Sequence, residues 1–345
     1  MTTVEKVKDY YTNNLNCSDD LKTNACCTAA CFPENIKKLI KNINEHVKNT
    51  YYGCGLVIPD LLEGCNVLDL GCGTGFDVYI VSQLIGETGR VTGVDMTEKQ
   101  LEIAEKWKEW HRDKFNYKES NVEFKLGYID NLEPLNIDDN SQDIVISNCV
   151  INLCQNKKGV LEQVYRVLKY GGELYFSDVY SNKRIPTELQ SDKVLLGECL
   201  SGALYWNDFL NLSKSIGFTD VRLVKHNKIT VNNKEIEDKL EGFEFYSATY
   251  RLFKLNLEND CENYGQKVIY RGSIENNNEY WDLDGHHRFY KDKEKSVCGN
   301  TWSMLHDTRF KKHFDFIGDF NKHYGIYDGC GKDNPFKINN QNNCC

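Results

Sequence analysis

The chain has 345 residues, 40% of them hydrophobic and 27% charged, with a net charge of −9. That balance suits a globular protein with one large domain and an appendage, or two domains, and the acidity argues against a general nucleic-acid surface. No run reaches the roughly 18 apolar residues of a membrane span and the opening MTTVEKVKDY lacks a signal-peptide core, so a cytosolic protein without a membrane partner is expected.

In chain order, residues 1–50 read as an N-terminal helical segment carrying a mobile cysteine loop. Val4–Leu15 suits a helix, and Cys17, Cys26, Cys27 and Cys31 follow in a polar stretch ending at Pro33. That proline can start a helix over 34–48, where Ile36, Leu39, Ile40, Ile43 and Val47 repeat at helical spacing. Residues 51–255 then alternate strand and helix. Strands are predicted at 66–70, 90–94, 122–126, 143–147 and 173–179, and helices at 75–86, 98–111, 157–169 and 207–216. Such βαβ alternation implies an α/β fold, Rossmann-like, with a mostly parallel sheet covered on both faces. Phe243–Leu255 is expected to supply a strand closing the sheet. Residues 256–345 read as a small β-rich appendage ending in a polar tail with Cys344 and Cys345.

The site is organised around Asn66–Gly75. Val67, Leu68 and Leu70 form a buried strand, and Gly71, Gly73 and Gly75 follow at alternate positions, where backbone must approach a ligand without a Cβ. Asp95 ends the next apolar run, close to the roughly 20 residues downstream at which an acid holds a ribose. The spacing is G-x-G-x-G, unlike the dinucleotide G-x-G-x-x-G, and no phosphate-binding lysine follows. Asp69–Gly75 therefore resembles the first motif of S-adenosylmethionine-dependent methyltransferases. Asp95, Gly127–Asp130, Asn148–Cys149 and Ser177–Asp178 also fall at strand carboxyl ends, where ligands sit in such sheets.

Fifteen cysteines are the anomaly. They lie below the roughly 8–10% of a secreted disulfide scaffold, no C-x-x-C occurs, and the odd count argues against complete pairing. In a reducing compartment they point to metal binding, redox chemistry or plain burial. Thiolates favour soft, thiophilic centres, and Cys149 and Cys199 fall where a substrate would meet a methyl donor.

In these contexts the chain resembles the arsenite methyltransferases. The matching segments are Thr23–Cys26, Tyr51–Pro59, Val67–Gly75, Val91–Thr97, Ser147–Asn152, Arg166–Lys169, Gly171–Val179, Gly197–Cys199 and Gly202–Trp206. The resemblance implies a class I methyltransferase taking S-adenosyl-L-methionine as donor and arsenite or methylated arsenicals as substrates. It places As(III) on Cys149 and Cys199, and a disulfide relay on Cys26 and Cys54, with Cys26 preferred over Cys27 by its Thr-Asn-Ala-Cys context. Donor-contacting positions become Tyr52, Gly71, Gly73, Asp95, Met96, Gln100, Ile129, Asp130 and Asn148. Thioredoxin or glutathione would restore the relay, and a monomer is expected. Two other readings remain open: a different small-molecule methyltransferase with merely packed cysteines, and a thiol-rich metalloid-binding protein without catalysis. The Asp282, Asp284, His286 and His287 group reads as a solvated loop more readily than as a metal site.

Overall fold

The computed structural model describes residues 32–51, 57–190, 192–197, 199–230, 233–240 and 242–330. These form two compact units, divided between Lys254 and Leu255.

The first unit is built on β1 (Asn66–Leu70), β2 (Arg90–Asp95), β3 (Val122–Leu126), β4 (Gln142–Asn148), β5 (Leu168–Ser181), β6 (Leu204–Tyr205), β7 (Val221–Lys228) and β8 (Phe245–Phe253). Their order is β3-β2-β1-β4-β5-β8-β7, with β6 paired to the end of β5. Strands β1 to β5 run parallel, while β8 is antiparallel to both its neighbours. This is the α/β, Rossmann-like architecture with a mostly parallel sheet that the alternation implied.

Successive residues of β1 show why the apolar run is continuous. Leu68 and Leu70 pack with Val94, Val145 and Val164 on one face of the sheet. Val67 packs with Val81, Val91, Ile144 and Ile146 on the other. Burying each such side chain contributes about 1.5–3 kcal/mol. Because β2 and β3 lie to one side of β1 and β4 and β5 to the other, the chain's direction of travel reverses between β1 and β4. Their carboxyl ends therefore part and leave a crevice there.

Three expectations need correction. The helix expected over 34–48 is two helices, Glu34–Ile40 and Glu45–Lys48. Asn44 interrupts it: its backbone N–H donates to His111 Nε2 at 3.1 Å while its side chain caps His46 N–H. The helix expected over 98–111 divides at Trp107 into Glu98–Lys106 and Lys108–Phe115. Finally, β8 does not close the sheet, because β7 lies outside it.

Across the β5–β8 pair, Arg251 Nε lies 3.3 Å from Glu173 Oε2, with both side chains almost wholly buried. Glu173 is held within the sheet by this charge partner.

The second unit contains β9 (Lys267–Tyr270), β10 (Tyr280–Asp282), β11 (Arg288–Tyr290), β12 (Glu294–Ser296), the helix Gly299–His306 and β13 (Phe314–Ile317). Strand β9 lies between β12 and β13, and β10 pairs with β11. Trp281, Phe289, Phe310 and Phe314 pack as an aromatic core. Cys261 and Cys330, left unassigned from sequence, form a disulfide. Asp284 accepts the backbone N–H groups of His286 and His287 and contacts His287 Nδ1, so this loop is self-satisfied. No group of three or more metal-ligating side chains, and no helix long and apolar enough to cross a membrane, occurs among the described residues.

Removing one partner of a buried pair leaves the other charge without that partner. Arg251→Met is therefore expected to lower stability by about 3–5 kcal/mol. Urea denaturation checks this, and Glu173→Gln in the same chain should recover part of the loss.

Candidate active site at the strand carboxyl ends

The chain leaves β1 through three residues in the left-handed region: Gly71, Gly73 and Gly75 have φ of 77°, 52° and 84°. The turn is held to β2. Gly71 N–H donates to Val94 O at 2.7 Å, and Gly73 N–H donates to Asp95 Oδ2 at 2.9 Å. The other carboxylate oxygen of Asp95 accepts Thr97 N–H at 2.8 Å. Gly71 has no room for a side chain, since a Cβ there would lie 2.4 Å from Val150 Cγ2. At Gly73 the nearest atom to such a Cβ is Gln100 Oε1, 3.9 Å away, so this glycine faces open space.

That space is a cavity of about 280 Å³ lined from the ends of β1, β2, β3 and β4. Gly71, Gly73, Asp95, Met96, Gln100, Ile129, Asp130, Asn148 and Cys149 all border it. Of the remaining sequence-derived candidates, Tyr52, Cys26 and Cys54 lie outside the described residues. Asp69, read from sequence as the start of the glycine motif, also lines the wall, as do Tyr51 and Asp77, which sequence reasoning missed. Asn148 Nδ2 links two of them, donating to Tyr51 OH at 2.9 Å and to Asp77 Oδ2 at 3.1 Å. For Asp77 the available signal was its place in the first helical turn after Gly75.

The electrostatics are one-sided. Among the described residues the cavity lining contains Asp69, Asp77, Asp95 and Asp130 but no Lys, Arg or His. Burial raises Asp77 to about 6, against a weaker lowering effect from Asn148. Burial also raises Asp95, although amide donors oppose it; burial first, and then the neighbouring charges of Asp77 and Asp95, push Asp69 well above the ordinary carboxylate range. Gln100 Oε1 is buried without a hydrogen-bond partner among the described residues. A turn that exposes backbone, an acid at the end of β2 and an orphaned acceptor fit a nucleoside ligand with cationic character.

Cys149 sits where β4 ends, and Cys199 enters the same corner from the segment after β5. Their backbones have φ of 57° and 60°, a region that is uncommon for non-glycine residues and often associated with functional sites. Cys199 is a buried thiol whose Sγ donates to Cys149 O at 3.5 Å. Cys149 is disulfide-bonded. Cys199 is not part of the cavity lining; it packs behind Cys149 with Val179, Leu195 and Leu200.

Asp178 and Asn152 fix this corner. Asn152 N–H donates to Asp178 Oδ2 at 2.9 Å, Asn152 Nδ2 donates to Val179 O, and Cys149 N–H donates to Ser177 O at 2.8 Å. A Cβ on Gly202 would lie 2.2 Å from Asn152 O, so the Cys199 segment approaches by a route open only to glycine. Burial raises Asp178 to about 7.

Comparison with known proteins places this arrangement. Residues 61–217 match the family described as Methyltransferase domain, and residues 263–343 match the Arsenite methyltransferase C-terminal domain. An arsenite methyltransferase of Aquipseudomonas alcaligenes is 52% identical over 333 residues, covering 96% of each chain. The chain belongs to the arsenite methyltransferase family. The human arsenite methyltransferase is 46% identical over 309 residues, covering 89% of this chain and 82% of that one. An arsenic(III) S-adenosylmethionine methyltransferase from Chlamydomonas reinhardtii superposes with a TM-score of 0.84 at 46% identity, over 86% of this chain and 100% of that one.

Two outcomes follow for this family member. Gly71→Ala, which forces a methyl group against Val150 at a positive φ, should cost about 2–4 kcal/mol in urea denaturation and abolish donor binding. The raised folded-state values of Asp77 and Asp178 mean that the native protein retains protons the unfolded chain releases. Their contribution to stability is full below about pH 4 and is lost as pH rises through about 6 and 7. Denaturation across that window should show the fall, and Asp178→Asn should remove its share.

Proposed function

We propose that the chain methylates trivalent arsenic, arsenite or a methylated arsenical, with S-adenosyl-L-methionine as donor. The observation carrying this reading is the juxtaposition of Cys199 with Cys149, which borders the cavity: two residues 50 positions apart meet as Cys199 Sγ approaches Cys149 O at 3.5 Å. Once reduced, Cys149 and Cys199 hold As(III) as thiolates, soft ligands for a soft centre.

When bound, the donor supplies an electrophilic methyl on a sulfonium; the arsenic lone pair takes it, the carbon–sulfur pair returns to sulfur as a thioether, and arsenic becomes formally pentavalent. The attacking lone pair needs no proton removed, which suits a cavity whose described lining contains no histidine. The residues around it position and shield. Asp95 holds the ribose hydroxyls. Gly71 and Gly73 admit the donor close to the backbone, while Tyr52, Met96, Gln100, Ile129, Asp130 and Asn148 complete its contacts. Asn152 and Asp178 keep the Cys149 segment fixed against β5. Positioning of this kind can contribute about 7–11 kcal/mol.

Protein thiols return two electrons to arsenic, and Cys26 and Cys54 are the proposed relay partners. The disulfide on Cys149 supports a cycle in which a protein disulfide must be opened before arsenic enters. Thioredoxin or glutathione would supply the electrons by thiol–disulfide exchange.

Labelled S-adenosylmethionine with arsenite and a thiol reductant provides the test. Wild type should yield methylated arsenic, while Cys149→Ser and Cys199→Ser should lose about 100-fold or more, a loss on the scale of misplacing a reactant. Cys54→Ser should retain arsenite binding but lose sustained turnover. Undiminished methylation by the Cys149 and Cys199 variants would exclude this thiol site.

A further inference from the structure

Asp77 stands in the first turn of the helix Phe76–Ile85, immediately beyond the glycine turn. It is 5% exposed and borders the donor cavity. One carboxylate oxygen, Oδ2, accepts Asn148 Nδ2 at 3.1 Å. The other, Oδ1, is buried without a hydrogen-bond partner among the described residues. An unsatisfied buried carboxylate oxygen is costly, and a charged donor relieves that cost most strongly.

The surroundings specify the kind of donor. The described cavity lining contains no basic side chain that could pair with Asp77. Asp95 accepts Gly73 N–H on one oxygen and Thr97 N–H on the other, and its remaining acceptor capacity goes to the ribose hydroxyls in the proposed donor site. Asp69 is buried beside Asp77 and held towards its neutral form by desolvation and by the charges of Asp77 and Asp95. Asp77 therefore combines a negative charge with an oxygen still available to accept.

We propose that Asp77 Oδ1 receives the α-ammonium of the donor's methionine portion, making Asp77 the residue that recognises the amino-acid end of the ligand. This rests on the reading of the cavity as the S-adenosylmethionine site. An ammonium offers N–H donors to an acceptor-only group, which the sulfonium cannot do. Asn148 Nδ2 braces the opposite oxygen and Tyr51 OH lies on the same amide, so the carboxylate is aimed before the ligand arrives.

Calorimetric binding of two neutral-sulfur ligands tests the assignment without turnover. S-Adenosylhomocysteine carries the α-ammonium, whereas 5′-methylthioadenosine has the nucleoside and thioether but no amino-acid portion. Asp77→Asn preserves shape and should weaken S-adenosylhomocysteine by about tenfold or more, the scale of a lost hydrogen bond to a charged group. It should leave 5′-methylthioadenosine within about twofold of wild type, which also reports an intact pocket. Equal weakening of both ligands, or unchanged S-adenosylhomocysteine binding, would overturn the role of Asp77. Wild type binding neither ligand would instead overturn the donor-site reading on which it rests.

Discussion

The carboxyl edge of the sheet depends on one small set of backbone hydrogen bonds: Gly71 N–H to Val94 O, Cys72 N–H to Val94 O and Gly73 N–H to Asp95 Oδ2. They fold the chain sharply as it leaves β1 and hold the resulting turn against β2. Asp95 is thereby both a structural acceptor and the acid at the edge of the cavity. Val150, arriving from β4, occupies the space above Gly71 that any side chain would need. This end of the cavity is thus set by contacts of one turn, with β2 on one side and the segment after β4 on the other.

The corner of Cys149 and Cys199 is built differently. Cys149 and Cys199 both occupy left-handed backbone conformations, which typically cost of order 1–3 kcal/mol each. That cost is offset by burial among Val179, Ile185, Leu195 and Leu200 and by the amide bonds of Asn152 and Cys149 to β5. The cavity wall is acidic and polar, whereas the thiol corner behind it is apolar. The edge of the sheet thus presents two different surroundings, carboxylates and amides on one side and buried aliphatic side chains with thiols on the other.

Much of the fold was legible because β1, β2, β4 and β5 carry apolar runs and β3 alternates apolar with charged residues, separated by helical periodicity, and both faces of β1 are covered. What the sequence concealed was decided by tertiary contacts. Asn44 stops a periodic helix by bonding His111, a partner 67 residues away. β7 was missed because Lys225, His226, Asn227 and Lys228 are exposed at a sheet edge and carry no alternating pattern. The glycine turn and Asp95 were readable from spacing. The positions of Cys149 and Cys199 after strand ends placed both near the site, but their pairing came only through family resemblance, since no local periodicity relates them. Asp77 was hidden because an acid in the first turn of a helix is ordinary; its buried, half-satisfied carboxylate distinguishes it only in three dimensions.

The most direct test of the account is the position of arsenic itself, read from anomalous scattering in crystals of the reduced protein with arsenite and S-adenosylhomocysteine. The account predicts one principal arsenic peak within bonding distance of both Cys149 Sγ and Cys199 Sγ, facing the thioether sulfur across the cavity. A principal peak on Cys72, Cys154, Cys298 or the reduced Cys261 and Cys330 pair, with Cys149 and Cys199 left bare, would contradict it.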